Sequence, residues 1–369
     1  MNSQPVRTDA ASARAASTPL NENGRTADAA SRAGDVPRPP SIRDVAKAAG
    51  VAFQTVSRVI NDSPKVAPDT RRRVLDAIEE LGYRPNAAAR ALASGRSKVV
   101  GVLSIGTNAF EAPSTLDGID QAASAAGYSI LFSGTHSQDA ADIKRAVESL
   151  LDQQAAGCIL IAPRMTTDIE ALELPAHVPV VLVEGDPDTD RASVSLDQAR
   201  GARLATEHLL DLGHATVWHV SGPRDWYDSR ERERGWREVL DERGVTAPPL
   251  LSGDWHHASG YECGRIIAAM PDATAVFVAN DSMALGLMHA LHEAGKSIPG
   301  DVSVVGFDDL DEAAFAYPPL TTLRQEFFEI GRAGIETLLE MVEGGGTGAK
   351  HAVVTPELIV RKSTAAPRA

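Results

Sequence analysis

The run Phe53-Gln54-Thr55-Val56-Ser57-Arg58-Val59-Ile60 puts apolar side chains at 56, 59 and 60 and leaves 53, 54, 57 and 58 free to face outward. Steps of three and four residues are those of a helix with one apolar stripe, and Asn61 supplies its stop. Working outward, Ser41 with Asp44 three residues later resembles a capping box, Ile42, Val45, Ala46 and Ala49 keep helical spacing, and Gly50 ends that helix. On the other side, Pro68 stands at a first-turn position and Val74, Ala77, Ile78 and Leu81 repeat before Gly82. Three helices within about 42 residues, the first two joined by a short turn, predict a helix-turn-helix unit.

Such a helix suits DNA. A recognition helix needs exposed polar groups near its N-terminus and an apolar back. Gln is fitted for bidentate contact with adenine and Arg with guanine. Charge contradicts this only as a sum. The 369 residues carry 36 Lys and Arg against 50 Asp and Glu, a net charge of −14. Residues 1–40 have 5 Arg against 4 acids (+1), residues 41–98 have 11 basic against 6 acidic side chains (+5), and residues 99–369 have 20 against 40 (−20). A small basic unit that can meet phosphates is joined to a large acidic one.

Residues 1–40 are rich in Ala, Ser, Arg and Pro with few large apolar groups, so a disordered tail is expected. No apolar h-region marks a secretory signal, and no stretch reaches the roughly 18 apolar residues of a membrane span. Cys158 and Cys263 are too few for a disulfide framework; Cys158, inside an apolar run, is expected to be a buried small hydrophobe. These features predict a cytoplasmic protein with no membrane partner.

From Val99 onward, apolar runs at Val99–Ile105, Ser129–Ser133, Gly157–Ala162, Val178–Val183, Thr216–Val220, Ala275–Ala279 and Val302–Phe307 alternate with helical segments. That rhythm predicts an α/β architecture with parallel sheets, and the length of about 270 residues suggests two lobes. Ligands of such sheets bind beyond the carboxyl ends of the strands. The residues there include Glu184, Ser221 to Tyr227, Asn280-Asp281 and Asp308-Asp309. Glu184, Arg232, Asn280 and Asp308 together offer acceptors, a donor fork and an amide, a mixture suited to neutral polyhydroxyl groups. Trp255 can lay its face on the apolar side of a sugar ring.

Ordered segments across the chain carry a resemblance. They are Asp44-Val45-Ala46 with Ala49-Gly50-Val51, Gln54-Thr55-Val56-Ser57-Arg58-Val59, Tyr83 with Pro85-Asn86, Gly253-Asp254-Trp255, Val278-Ala279-Asn280-Asp281 with Met283-Ala284-Leu285-Gly286, and Pro318-Pro319-Leu320-Thr321-Thr322. In this order they resemble transcriptional repressors of the LacI family, over Ser41 to about Thr364. The resemblance implies a three-helix helix-turn-helix headpiece (41–84), a hinge helix (85–98) and a two-lobed α/β periplasmic-binding-protein-like domain with parallel sheets (99–369) for effector binding and dimerisation. It also implies site residues. Phe53 and Gln54 would choose among operators, Arg58 would read a base, and Thr55, Ser57 and Asn61 would meet bases or phosphates. Leu92 of the Ala-rich hinge would enter the minor groove as an apolar wedge. In the body, Glu184, Arg232, Trp255, Asn280 and Asp308 would line the effector cleft, Gln325 would bridge the same region, and Phe110, Ala112 and Pro113 would form an apolar wall. Trp226 and Tyr227, on a loop running to Asp228, could add an aromatic surface.

One departure concerns the caps: the family usually has Ser before its second and third helices, and this chain has Ala52 and Ala67. Lost caps predict a less stable headpiece and weaker DNA binding. Arg71, Arg72 and Arg73 are expected to be solvated helix charges. Gly344 to Lys350 has the wrong register for a phosphate loop, and neither His256-His257 nor the acidic run Asp308–Glu312 has the spacing of a metal site. No cofactor or metal is implied. The implied partners are pseudo-palindromic operator DNA, a small sugar and a second copy of the chain. A galactoside or other β-linked glycoside is the expected effector, with another sugar or a purine-like molecule as alternatives. No apolar heptads follow Thr364, so a dimer is expected rather than a tetramer. A sugar-binding transport protein, or an enzyme using Glu184 and Asp308 as acid and base, would leave Ser41–Gly95 unexplained.

Overall fold

The computed structural model describes Arg38, residues 40–84, 97–106, 112–162, 172, 174–175, 177–185, 189–344 and 350–368. The expected tail (most of 1–40) and the hinge with Leu92 lie outside the described residues, as does Phe110. The chain divides into two units, Met1–Pro85 and Asn86–Ala369.

In the first unit, α1 (Ile42–Ala48), α2 (Phe53–Ile60) and α3 (Pro68–Leu81) follow the periodicity closely. The Asp44 carboxylate accepts from the Ser41 backbone N–H at 2.7 Å, holding the start of α1. Gly82 ends α3 in the left-handed region, at φ 60°. Val45, Ala46, Ala49, Val56, Val59, Val74 and Ala77 form the small core. Neither Ala52 nor Ala67 makes a side-chain cap. Arg71 corrects the reading of a solvated arginine run. It donates to Asp62 Oδ1 at 2.7 Å and to the Ser63 carbonyl at 2.6 Å, tying down the loop between α2 and α3. Arg72 and Arg73 are exposed.

The second unit has two lobes. In the first lobe are β1 (Val99–Ile105), α4 (Ala112–Ala125), β2 (Ser129–Thr135), α5 (Ala140–Asp152), β3 (Cys158–Ile161), β4 (Val180–Val183) and β5 (Ala192–Leu196). The second lobe contains α6 (Gln198–Asp211), β6 (Trp218–Ser221), α7 (Tyr227–Glu242), β7 (Leu251–Ser252), α8 (His257–Ala268), β8 (Ala275–Val278), α9 (Asp281–Glu293), β9 (Ser303–Val305), α10 (Asp311–Phe315) and β10 (Thr322–Arg324). Then α11 (Phe327–Gly344) and β11 (His351–Val354) return to the first lobe, and β12 (Glu357–Ile359) pairs antiparallel with β10.

The first sheet is six-stranded and parallel, in the order β11-β5-β4-β3-β1-β2, and the second is four-stranded and parallel, β7-β6-β8-β9. Each sheet carries apolar cores that draw on its strands and the helices beside it. Burial on both faces explains why most strands read as continuous apolar runs. The strands that the sequence concealed break this rule. Strand β5 is interrupted by Ser193 and Ser195, both buried, with Ser193 Oγ 2.8 Å from His351 Nδ1 of β11. Strand β11 is a mostly exposed edge, and β7, β10 and β12 are very short.

The chain crosses between lobes after β5, after β10 and after β11. Gln198 and Gln325 stand on the first two crossings. Gly118 of α4 and Gly331 of α11 let these helices touch, since a Cβ at either would lie 2.1 Å from a backbone oxygen of the other helix. Cys158 is fully buried, and burial pushes its thiol up to about 12.

Candidate nucleic-acid face and effector cleft

On α2, Val56 and Val59 turn into the core while Phe53, Gln54 and Arg58 are exposed and Thr55 and Ser57 are half-buried. Phe53 is 54% exposed, so it is not a packing residue of the small core. Positions 53, 54, 57, 58 and 61 share one helical face, with Asn61 at its C-cap. At the other end, the absent side-chain cap leaves the first backbone N–H groups of α2 without a side-chain oxygen, and these are groups that a phosphate can satisfy.

The second site is built on the lobe crossings. Arg232, on the second turn of α7, is completely buried. Its Nε donates to Gln198 Oε1 at 2.9 Å and its Nη1 to the Ala279 carbonyl at 2.5 Å. Gln198 Nε2 donates in turn to Gln325 Oε1 at 3.2 Å, and Gln325 Nε2 to Asp308 Oδ1 at 2.5 Å. Asp308 Oδ1 closes the ring 3.7 Å from Arg232 Nη1. Two crossover residues thus link a helix of the second lobe to the loop after β9. Phe307 lies under the guanidinium, 3.9 Å from its central carbon to the ring centre.

Asp308 sits at φ 111°. Burial pushes its carboxyl up to about 8 against the pull of Arg232. Burial likewise pushes Asp281 up to about 7, although it accepts from Thr322 Oγ1 at 2.7 Å and from the Leu310 N–H at 2.9 Å. Asp309 accepts from Arg324 and Arg361. The front of the acidic run is therefore tied up in internal bonds. No group of three His, Cys, Asp or Glu side chains suited to a metal occurs among the described residues.

Trp255, at φ 74°, packs edge-on against Trp226, with ring centres 5.5 Å apart. Gly222 makes room for it: a Cβ there would lie 2.3 Å from the indole ring. Two expectations change here. Trp226 is buried and backs Trp255 rather than offering a surface, and Tyr227 and Asp228 belong to the first turn of α7 rather than to a loop. Asn280 caps α9 by accepting from the Met283 N–H at 2.9 Å and holds Trp255 by donating to its carbonyl at 3.1 Å.

From the first lobe, Glu184 ends β4 at φ 61°, buried, and accepts from Thr115 Oγ1 of α4 at 2.5 Å. Pro113 is exposed in the first turn of α4 beside Ala112. A cavity of about 410 Å³ opens between the lobes with Ser114, Asp308, Gln325 and Glu326 in its wall. Arg232, Trp255 and Glu184 are not in that wall. The structure thus gathers Arg232, Asp308, Gln325, Trp255 and Asn280 around one region. Sequence reasoning missed Gln198, whose only signal was its place after the Asp197 N-cap, behind a strand masked by serines.

Two donors in this region have no hydrogen-bond partner among the described residues, Arg232 Nη2 and Trp255 Nε1. Buried donors without acceptors are rare and costly. Among the described residues, no helix is long and apolar enough to cross a membrane.

Residues 41–86 match the model of the bacterial regulatory proteins of the lacI family, and residues 206–364 match that of a periplasmic binding protein-like domain. The chain is 34% identical to an HTH-type transcriptional repressor PurR of Haemophilus influenzae, over 88% of this chain and 98% of that protein. It is also 34% identical to the lactose operon repressor of Escherichia coli K12, over 89% and 92%. Its fold is similar to that of the lac repressor dimer bound to operator and the anti-inducer ONPF (TM-score 0.82, 32% identity, 89% of this chain and 100% of that one). It is also similar to the regulator CelR in complex with cellobiose (TM-score 0.66, 31% identity, 88% and 99%). The chain therefore belongs to the lacI family of bacterial regulatory proteins, DNA-binding transcriptional repressors rather than enzymes.

Proposed function

We propose that the protein is a homodimeric repressor of sugar-utilisation genes that binds a pseudo-palindromic operator and is switched by a small neutral sugar in the cleft between its lobes. The observation that carries the effector reading is the buried ring of Arg232, Gln198, Gln325 and Asp308, beside an indole face and two unfilled N–H donors. A sugar supplies what this region lacks: hydroxyl oxygens for the donors and an apolar ring face for Trp255. The similar CelR–cellobiose and lac repressor–ONPG structures support a glycoside.

On DNA, Phe53, Gln54 and Arg58 read base edges, Thr55, Ser57 and Asn61 meet bases or phosphates, and Leu92 wedges into the minor groove. The effector works by binding one arrangement of the lobes better than the other; full switching from 1:99 to 99:1 takes about a 10⁴-fold preference. Such a protein works in the cytoplasm, where the operator is. A purine-like effector is the second reading, favoured by relatives named PurR that are as similar to this chain as the lactose operon repressor. A gel shift with the DNA upstream of the gene, alone and with lactose, cellobiose or hypoxanthine, tests both. Retardation at low salt that a glycoside alters is the expected result. No retardation overturns the operator reading, and a response to hypoxanthine alone overturns the sugar.

A further inference from the structure

Just past a helix end the chain usually takes a positive φ, and glycine adopts it without strain. Helices α1 and α3 end in this way at Gly50 (φ 65°) and Gly82 (φ 60°), but α2 has Asp62 in the equivalent place, at φ 48°. The stop is complete all the same. Asp62 N–H donates to the Val59 carbonyl at 3.1 Å and Ser63 N–H to the Arg58 carbonyl at 2.9 Å, the two bonds of a glycine-type stop. The backbones of Arg58 and Asn61, two of the residues on the outward face of α2, are thus fixed by a turn that rests on an aspartate.

Arg71 of α3 holds that turn. Its Nη1 donates to Asp62 Oδ1 at 2.7 Å and its Nη2 to the Ser63 carbonyl at 2.6 Å, so one planar fork grips a side chain and the backbone of the next residue. A chain of bonds then runs from α3 through Ser63 to the Arg58 carbonyl. The cation also stands beyond the C-terminus of α2, where the helix dipole favours it. With both ends of the fork engaged and the side chain only 27% exposed, Arg71 is not available to phosphates as the exposed Arg72 and Arg73 are. Asp62, the only acid between Val51 and Val66, is neutralised by the same contact.

We infer that Arg71 is a positioning residue for operator recognition: through the turn at Asp62 and Ser63 it sets the C-terminal end of α2, and with it Arg58 and Asn61, against the base edges. The inference rests on the reading of α2 as the helix that reads the operator. Base contacts carry sequence preference, whereas phosphate contacts strengthen binding to any DNA. The role of Arg71 therefore shows in the ratio of the two affinities rather than in either alone.

Titration of the full-length protein with the DNA upstream of its gene and with a scrambled duplex of the same composition, over a range of salt, tests it. Wild type is expected to prefer the upstream DNA. Arg71→Ala is expected to lower that preference about tenfold, the order of one good base contact, with an unchanged salt slope. Asp62→Gly, which takes the positive φ without help, changes little alone and recovers most of the loss when combined with Arg71→Ala. Arg72→Ala leaves the preference unchanged. Thermal melting checks that the headpiece is folded, and Arg71→Lys, which keeps the charge and loses the fork, replaces the Ala variant if that one is not. An equal loss on both duplexes overturns the inference, and a salt slope shallower by about one unit then makes Arg71 a phosphate contact. An unchanged preference in a folded Arg71 variant, or a loss that Asp62→Gly does not recover, overturns it as well and leaves the operator reading standing. Binding of the upstream DNA no tighter than the scrambled duplex by wild type overturns the operator reading and this inference with it.

Discussion

At the scale of single residues, each site depends on a few side chains whose neighbours leave them little freedom. Gln54 is exposed at the start of α2. Replacing it by Ala is expected to cost about 1–3 kcal/mol of discrimination between operators, seen as relaxed base preference in a competition gel shift, with little change in salt dependence because no charge is lost. Trp255 fits where it does because Gly222 has no side chain. Gly222→Ala should drive the indole off Trp226 at an overpacking cost of about 1–3 kcal/mol. Effector affinity and Trp fluorescence should then change while DNA binding in the absence of effector persists; unaltered affinity would show that the Trp255 position is irrelevant to the ligand.

At the scale of elements, the weak points are the start of α2 and the lobe crossings. Ala52 has extended geometry at the N-cap (φ −70°, ψ 148°) but no oxygen to offer. Ala52→Ser should stabilise the headpiece by about 0.5–2 kcal/mol and tighten operator binding, measured as the melting of the headpiece within the full chain and by titration with operator. No change in either would mean that the first turn of α2 is satisfied in another way. At the crossings, Gln198→Ala strands Arg232 Nε and Gln325 Oε1 in the interior. The body should lose about 1–3 kcal/mol in urea denaturation, together with its effector response. The elements themselves differ in how visible they were. The three headpiece helices announced themselves through caps, a proline and an unbroken apolar stripe, whereas β5 was hidden because its buried Ser193 pairs with His351, a residue more than 150 positions away.

At the scale of the whole molecule, charge and burial set the pH response. Asp228, Asp281 and Asp308 all have carboxyls raised by burial, to about 6, 7 and 8. In the unfolded chain they titrate near 3.8. Their burial is therefore least costly while they are protonated, and stability falls as pH rises from about 3.8, where the unfolded chain ionises, until the buried carboxyls have ionised too. His219 works in the opposite direction: burial pushes it down to about 3, and His208 and His214 are lowered as well. Stability from these is lost as pH falls below their ordinary value of 6.5. The melting temperature of the body should rise as pH falls from about 8 to about 6.5, and the rise should slow below that, where the lowered histidines oppose the carboxyls. A melting temperature that is flat or falls over the first interval would contradict the assignment of buried, raised carboxyls. The net charge of −20 on residues 99–369 acts in the same direction, because protonation relieves its self-repulsion.

The sequence by itself determined what depends on neighbours along the chain. Helix boundaries, the exposed face of α2, the missing caps, the alternation of strands and helices, and the division into a basic and an acidic unit are all local properties. So is the family, whose motifs lie in short ordered segments. Tertiary structure alone decided which polar residues meet. Arg232, Gln198, Gln325 and Asp308 come from four separate stretches and form one ring because the chain crosses between lobes at Gln198 and Gln325. Only the fold singled out Asp228 among 50 acids, by burying it 3.6 Å from Arg232 Nη2. Hydrogen bonds and desolvation act through space, and nothing in a linear pattern records which distant residue will supply the other half of the bond.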